Sequence, residues 1–217
     1  CIQCKQTLSV LENIPLISFL LLRGRCRKCK QTISIQYPII EFLAAIVPLI
    51  SFYKFGLSIA FITLSIMGWC LIALSAIDIK HKILPDSITL PLLWLGLLIN
   101  LNHVFTNIND AVIGAASGYL IFFTIYWVFK LATQKEGLGQ GDFKLLAAFG
   151  AWFGWTSLLP IILISSLLGI IITLIIMAYN KIVFNKDISA LIPYGLYLSI
   201  AAWIYALYGA ELISWYT

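Results

Sequence analysis

Two aspartates, Asp78 and Asp142, stand at the ends of long apolar stretches of the sequence. A charged side chain near membrane hydrocarbon costs roughly 2.5–3.5 kcal/mol at the centre of a helix on insertion scales, and less towards the interface. Such residues are therefore candidates for function. The turn before Asp142 contains Gly139 and Gly141, which let the main chain adopt unusual angles and let another segment approach closely. Helix capping by Asp142 is the structural alternative.

Two carboxyl groups on separate helices can form the dyad of an aspartic protease. Because like charges in one site cannot both ionise cheaply, the pair holds one proton between its members. The ionised carboxylate then takes a proton from water, while the protonated partner polarises the scissile carbonyl. The sequence offers no competing nucleophile, since it has two histidines and no Gly-x-Ser-x-Gly string.

The composition predicts the surroundings of these carboxyl groups. Of the 217 residues, 61% are hydrophobic and 11% are charged, and the mean hydropathy is +0.99. A typical soluble domain is about 45–50% apolar and about 25% charged. The composition excludes a soluble enzyme, a disordered chain and a collagen-like fibre, and it predicts an all-α polytopic membrane protein in contact with lipid. No nucleic-acid partner is expected.

Seven apolar segments predict transmembrane helices within a membrane domain at 37–217, and residues 1–36 form a separate module. The segment 143–155 is short and interrupted by glycine, so it is either half-buried or continuous with its neighbour. The segments are 37–54, 57–77, 86–105, 111–131, 143–155, 157–178 and 193–213.

The positions of Lys and Arg predict the orientation in the membrane. The module at 1–36 and alternate loops hold thirteen of the 14 basic residues, and only Lys54 lies on the other side. Cytoplasmic loops carry the excess of Lys and Arg. The module, Asp78 and Asp142 are therefore expected on the cytoplasmic side.

The module contains two CxxC pairs, Cys1 with Cys4 and Cys26 with Cys29. Two such pairs can supply four thiolates to one tetrahedral Zn²⁺. Disulfides and free thiols are the alternatives, but lasting disulfides are rare in a reducing cytoplasm. We expect a structural zinc site. Cys70, inside an apolar span, is expected to be a buried small hydrophobe.

Several strings occur in a fixed order across nearly the whole chain: the two CxxC pairs, Arg23-Gly24-Arg25-Cys26, Tyr37-Pro38 with Glu41, Asp78 through Leu84-Pro85-Asp86, Gly139 through Leu145, and Pro193-Tyr194-Gly195. In this order they resemble the type IV prepilin peptidase family, bacterial membrane aspartic peptidases of pilus assembly and type II secretion. The resemblance implies an inner-membrane enzyme that cleaves the leader from prepilins and pseudopilins at the cytoplasmic face.

The same resemblance implies roles for individual residues. Asp78 and Asp142 would be the catalytic pair, and the four cysteines would bind zinc. Bacterial members commonly also methylate the new N-terminus from S-adenosylmethionine. The family has a transmembrane helix before the cysteine module, so an eighth helix is expected upstream of this sequence.

Further polar residues are predicted to support the site. Glu41 is expected either to reach the membrane interface or to line the site and assist deprotonation of the amine during methylation. Asp86 is expected to cap a helix, and Lys144 would attract an acidic group of the substrate or a lipid headgroup. Gly114-x-x-x-Gly118 and Gly150-x-x-x-Gly154 predict close helix packing.

Three other functions fit parts of the sequence. A presenilin-like GxGD intramembrane protease shares the dyad but does not need the CxxC module. An ion-coupled transporter would use Asp78 and Asp142 as a proton relay, but it predicts carboxylates near the midplane and inverted repeats. A zinc-containing membrane scaffold leaves the two aspartates unexplained.

Overall fold

The computed structural model describes residues 4, 7, 14–135, 137–184 and 193–213. In these ranges the chain is all-helical apart from one isolated bridge between Arg25 and Thr32. A 3₁₀ turn at Trp155–Ser157 precedes α7. The helices are α1 (Ile17–Leu21), α2 (Gln36–Phe55), α3 (Ile59–His81), α4 (Asp86–Asn100), α5 (Ile108–Thr133), α6 (Gln140–Phe153), α7 (Leu158–Phe184) and α8 (Tyr194–Ile213).

Four helical segments in the described ranges are long and apolar enough to cross a membrane: Gln36–Phe55, Ile59–His81, Ile108–Thr133 and Trp155–Tyr179. The apolar helix α4 has 15 residues, which at 1.5 Å per residue span about 22 Å, less than the 30 Å hydrocarbon core. The chain is therefore a multi-pass helical membrane protein. Helices occupy all seven predicted segments, but seven complete spans remain a prediction.

Helix α6 is the core of the bundle and contacts α4, α5, α7 and α8. Its residues from Asp142 to Phe153 are buried with the exception of Lys144. It does not continue into α7, because Gly154 turns the chain with φ of +81°. Its 14 residues are about 21 Å long, and because most of them are buried, neighbouring helices surround this helix inside the bundle.

Glycines allow α5 and α6 to cross with their main chains in contact. A Cβ added at Gly114 or Gly150 would collide with the carbonyl group of the other residue. One turn further along, a Cβ at Gly118 would lie 2.8 Å from the carbonyl oxygen of Leu146. The predicted packing role of the two glycine stripes is confirmed.

Buried polar side chains fix α6 to α4 at the end away from Asp142. The Asn100 amide donates to the carbonyl oxygens of Ala151 and Trp152 at 2.8 Å each. Its oxygen accepts main-chain N–H groups from Phe105 and Thr106. Two of these four hydrogen bonds hold α4 and α6 in one register, and the other two fix the segment that follows α4.

The described part of the cysteine module is a short helix joined to a hairpin. The hairpin is closed by hydrogen bonds from Ile33 N–H to the Gly24 carbonyl at 2.7 Å and from Cys26 N–H to the Gln31 carbonyl at 2.8 Å. Gly24 has φ of +66°, and the Phe19 ring of α1 packs against it. Helix α1 and the hairpin therefore form one packed unit that precedes α2 in the chain.

Candidate active site

Asp78 lies in the last turn of α3 and is 5% exposed. Its Oδ2 accepts the main-chain N–H of Leu196, in the first turn of α8, at 3.3 Å. Lys82 ends α3 in the left-handed conformation and donates its N–H to the Asp78 carbonyl at 2.9 Å. The Lys82 ammonium is also close enough to attract the Asp78 carboxylate.

Asp142 lies in the first turn of α6 and is 7% exposed. Its Oδ2 accepts the main-chain N–H of Gly139 at 3.2 Å. Gly139 is the N-cap of α6, so Asp142 closes the first turn from the third helical position and is not itself the N-cap. This hydrogen bond occupies one oxygen of the carboxyl group and holds the side chain at the mouth of the helix.

The fold brings the two carboxyl groups close enough to interact electrostatically. Leu84 lies between their supporting segments. A Cβ added at Gly141 would be 2.7 Å from Leu84 Cβ, and one added at Gly195 would be 2.9 Å from Leu84 Cδ1 and 3.0 Å from Asp78 Oδ2. Both glycines let the main chain pass Leu84 at contact distance.

The start of α8 is attached to α7 by hydrogen bonds inside the bundle. The Tyr194 hydroxyl lies 2.9 Å from Ser165 Oγ and 3.3 Å from Ser166 Oγ. Its ring lies 5.9 Å from that of Phe122. These contacts hold the turn that offers the Leu196 N–H to Asp78. The serines are not among the predicted site residues, although two adjacent hydroxyls in a very apolar helix are a usable signal.

Asp86 and Lys144 form an ion pair beside the site. Lys144 Nζ lies 2.7 Å from both carboxylate oxygens of Asp86, which joins the first residue of α4 to the fifth residue of α6. The predicted capping role of Asp86 is wrong. Pro85 is the N-cap of α4, and no side chain caps that helix. Asp86 is the first helical residue, and its carboxylate turns towards the cation on the neighbouring helix.

Glu41 lies at the junction between the cysteine module and α2. Its Oε2 accepts the main-chain N–H of Leu16 at 2.8 Å. Leu16 has φ of 62°, a positive angle that is unfavourable for a leucine and that this hydrogen bond helps to hold. The structure thus gives Glu41 a role in attaching the module, whereas its predicted role in methylation stays a prediction.

Three cysteines of the module form a cluster that could hold a metal ion. The Sγ atoms of Cys4, Cys26 and Cys29 lie within 4.8 Å of one another, and Cys4 and Cys26 are 3.9 Å apart. Four thiolates at 2.3 Å from one tetrahedral Zn²⁺ would be about 3.8 Å apart, so this spacing fits. The main-chain N–H groups of Cys29 and Lys28 lower the pKa of the Cys26 thiol to about 7. Cys1 lies outside the described residues.

The sequence matches known families along most of its length. The model of the type IV leader peptidase family matches residues 65–174, which include Asp78 and Asp142. The model of the bacterial peptidase A24 N-terminal domain matches residues 1–55, which include the four cysteines of the module. The two matches thus cover the candidate active site and the thiol cluster separately.

Curated relatives give the same result. A prepilin leader peptidase/N-methyltransferase of Aeromonas hydrophila is 45% identical over 216 residues, which cover 100% of this chain and 73% of the relative. The protein of the same name from Pseudomonas putida is 45% identical over 212 residues, 98% of this chain and 72% of the relative. No solved structure matches the chain. A match over half of the sequence and relatives at this identity show that the chain belongs to the type IV leader peptidase family.

Proposed function

We propose that Asp78 and Asp142 are the catalytic pair of a membrane aspartic endopeptidase that removes the leader from type IV prepilins and pseudopilins. One observation carries the assignment of the pair. Two carboxyl groups, each less than 10% exposed, come from separate helices and interact electrostatically. Both relatives described above are prepilin leader peptidase/N-methyltransferases, which supports this substrate class.

The arrangement suits hydrolysis of a peptide bond by an activated water. The ionised carboxylate takes a proton from the water, and the water oxygen attacks the scissile carbonyl. The protonated carboxyl group of the other aspartate stabilises the developing oxyanion. A proton then passes to the leaving amine, and the dyad returns to one shared proton. The Gly139 N–H donates to Oδ2 of Asp142, and the Leu196 N–H donates to Oδ2 of Asp78. The remaining carboxyl oxygens can contact water and substrate.

The distribution of basic residues supports cleavage at the cytoplasmic face of the bacterial inner membrane. Lys80 and Lys82 follow Asp78 closely, and Lys144 follows Asp142. Both carboxyl groups therefore belong to ends of helices that carry positive charge, as expected of cytoplasmic ends. A proton relay of a transporter would instead need ionisable groups near the midplane.

The cysteine module is proposed to bind one structural zinc ion through Cys1, Cys4, Cys26 and Cys29. The support is the spacing of the three described thiols and the hydrogen bonds that favour a thiolate at Cys26. When bound, the ion would brace the hairpin and would not act in hydrolysis. The division into a module at 1–36 and a membrane domain at 37–217 is likewise a proposal.

The names of the relatives also support N-methylation of the product amine with S-adenosylmethionine as methyl donor. The proposed location is the junction of the module with Glu41, on the same predicted side as the dyad. The measurement is mass spectrometry of the cleaved substrate with the cofactor present. A product that carries only a free amine, formed by enzyme that cleaves normally, would contradict this second activity.

Conservative substitution tests the catalytic pair. Asp78→Asn and Asp142→Asn should each abolish cleavage of a prepilin in detergent or vesicles. Each variant has lost one of the two carboxyl groups that share the proton. The double variant should be no worse than either single, since the pair acts as one unit. Asp110→Asn is the matched control, because Asp110 lies in the first turn of α5, a different helix from those of the dyad.

Thermal unfolding of each variant separates loss of chemistry from loss of fold. The two active-site variants should unfold cooperatively, as the wild type does. Cleavage by Asp142→Asn at a rate near that of the wild type would refute the mechanism. Inactivity of Asp110→Asn with an intact fold would show that the assay does not report on the dyad.

A further inference from the structure

The described part of the cysteine module exposes a cluster of large apolar side chains. Leu20 is 73% exposed and Leu21 is 77% exposed, and Ile17 and Ile35 are also exposed. Single exposed apolar residues are ordinary on protein surfaces, whereas a cluster of them marks an interaction surface. Ile17, Leu20 and Leu21 lie three and four positions apart on one face of α1 and form the apolar cluster, while Ile35 lies just before α2.

The attachment of α1 to α2 places this cluster close to the point where α2 begins. Leu16, just before α1, donates its N–H to Glu41 at 2.8 Å. Glu41 is five residues into α2, which starts at Gln36, so the contact lies about 8 Å from the helix start. Since α2 is a candidate membrane span, α1 is held at the level where α2 enters the lipid headgroups.

Positive charge flanks the apolar cluster. The hairpin is packed against α1 through Phe19 and Gly24, so its side chains are carried at the same end of α2. No Asp or Glu occurs between residues 14 and 40. The exposed basic residues of the hairpin are Arg23, Arg25, Arg27, Lys28 and Lys30.

We propose that the apolar cluster and these basic residues form one interfacial surface that binds anionic phospholipid headgroups of the membrane in which α2 is embedded. Apolar side chains of an interfacial segment insert into the boundary between headgroups and acyl chains while cations contact the phosphates. A soluble anionic partner would use the cations but leave the leucines of α1 in water. The combination therefore favours lipid.

The binding should hold the cysteine module against the membrane. Each basic residue near an anionic surface contributes about a fivefold factor to association, which corresponds to about 1 kcal/mol. Three such residues together should change the equilibrium constant for docking by about a hundredfold. The module would be docked in anionic membranes and would detach more often in zwitterionic ones.

Hydrogen exchange of the full chain in nanodiscs tests the proposal. Wild-type protein in discs that contain phosphatidylglycerol should exchange the amides of residues 14–35 several-fold more slowly than in discs of phosphatidylcholine alone. Arg25→Gln/Lys28→Gln/Lys30→Gln should remove most of this lipid dependence, and Leu20→Ser/Leu21→Ser should reduce it. The matched control, Lys135→Gln/Lys181→Gln, neutralises exposed cations outside the module and should keep it.

The amides of buried helix α6 serve as the internal reference for folding. If a variant loses hydrogen-exchange protection in α6, the comparison is made instead with wild-type protein in about 0.5 M salt. Salt screens the attraction between the basic residues and the anionic headgroups without a mutation. Equal exchange of residues 14–35 in the two kinds of disc would overturn the proposal. Loss of the lipid dependence in the Lys135/Lys181 control would also overturn it, because the effect would then come from overall charge.

Discussion

Leu196 donates its main-chain N–H to Asp78 Oδ2 over 3.3 Å, although the two residues are 118 positions apart. The donor belongs to the first turn of α8, where unpaired N–H groups favour a negative charge. The position of that turn depends on Tyr194, whose hydroxyl is held by Ser165. Ser165 of α7 thus helps to position the N–H group that binds Asp78, because it holds Tyr194 at the start of α8.

Tyr194→Phe is expected to lower kcat for leader cleavage about three- to tenfold while KM stays near the wild-type value. The substitution removes the hydrogen bonds to Ser165 and Ser166 but keeps the ring, and a net loss of about 0.5–1.5 kcal/mol is typical. Steady-state cleavage of a prepilin provides the measurement. Tyr208→Phe is the control, since its hydroxyl lies near the far end of α8. Wild-type kcat in Tyr194→Phe would show that the start of α8 is held without this contact.

The ion pair between Asp86 and Lys144 is expected to contribute little to stability in spite of its geometry. The two side chains are 54% and 28% exposed, respectively, and exposed pairs typically contribute 0.2–1 kcal/mol. A double-mutant cycle of Asp86→Asn and Lys144→Met, measured by unfolding in detergent, should give a coupling below about 1 kcal/mol. A coupling of several kcal/mol would mean that the pair is desolvated in the membrane.

Gly150→Ala should destabilise the bundle strongly, because its Cβ would collide with the main chain of Gly114. Backbone atoms cannot move aside as a flexible side chain can, and overpacking of this kind costs about 1–3 kcal/mol or more. The melting temperature in detergent is the measurement. Gly169→Ala is the matched control, since the added Cβ would meet only the Tyr197 ring at 3.3 Å. A melting temperature unchanged in Gly150→Ala would contradict the main-chain contact.

Residues whose local context alone is unusual can be singled out from the sequence. Asp78 and Asp142 stood out because a carboxyl group in apolar sequence is costly wherever the chain folds. The glycine stripes were also found, because small residues four positions apart form one face of a helix. Each of these patterns can be recognised from a few neighbouring residues, without knowledge of the rest of the fold.

Contacts between two distant segments were missed. The sequence near Asp86 is that of a helix start, and capping was the natural prediction, but the carboxylate pairs with Lys144, 58 positions away. Glu41 was expected to face the interface or the site, and its partner is the main-chain N–H of Leu16. A backbone donor has no side-chain signature, so the sequence could not indicate it.

Removal of one thiol should release the proposed zinc ion without affecting the dyad directly. Elemental analysis should find about one zinc per chain in the wild type, as one four-thiolate site requires, and far less in Cys29→Ser. Cys70→Ser is the control, because Cys70 lies in α3, apart from the thiol cluster. Full zinc content in Cys29→Ser, or alkylation of all four module thiols in native wild-type protein, would refute the site.

Leader cleavage should depend on pH as a bell-shaped curve, because the proposed mechanism needs one ionised and one protonated carboxyl group. At low pH both Asp78 and Asp142 are protonated, so no base is available to activate water. At high pH both are ionised, so no proton stabilises the oxyanion. The two limbs of kcat/KM should report macroscopic pKa values that belong to the pair and not to either residue.

The pH profile also distinguishes the dyad from its neighbours. Asp86→Asn should leave the shape of the curve unchanged, because Asp86 pairs with Lys144 and gives no proton to the reaction. The measurement is the initial rate of prepilin cleavage across the pH range over which the wild-type protein stays folded. A rate with a single limb, rising or falling only, would mean that one carboxyl group acts alone, and the shared-proton mechanism would then be wrong.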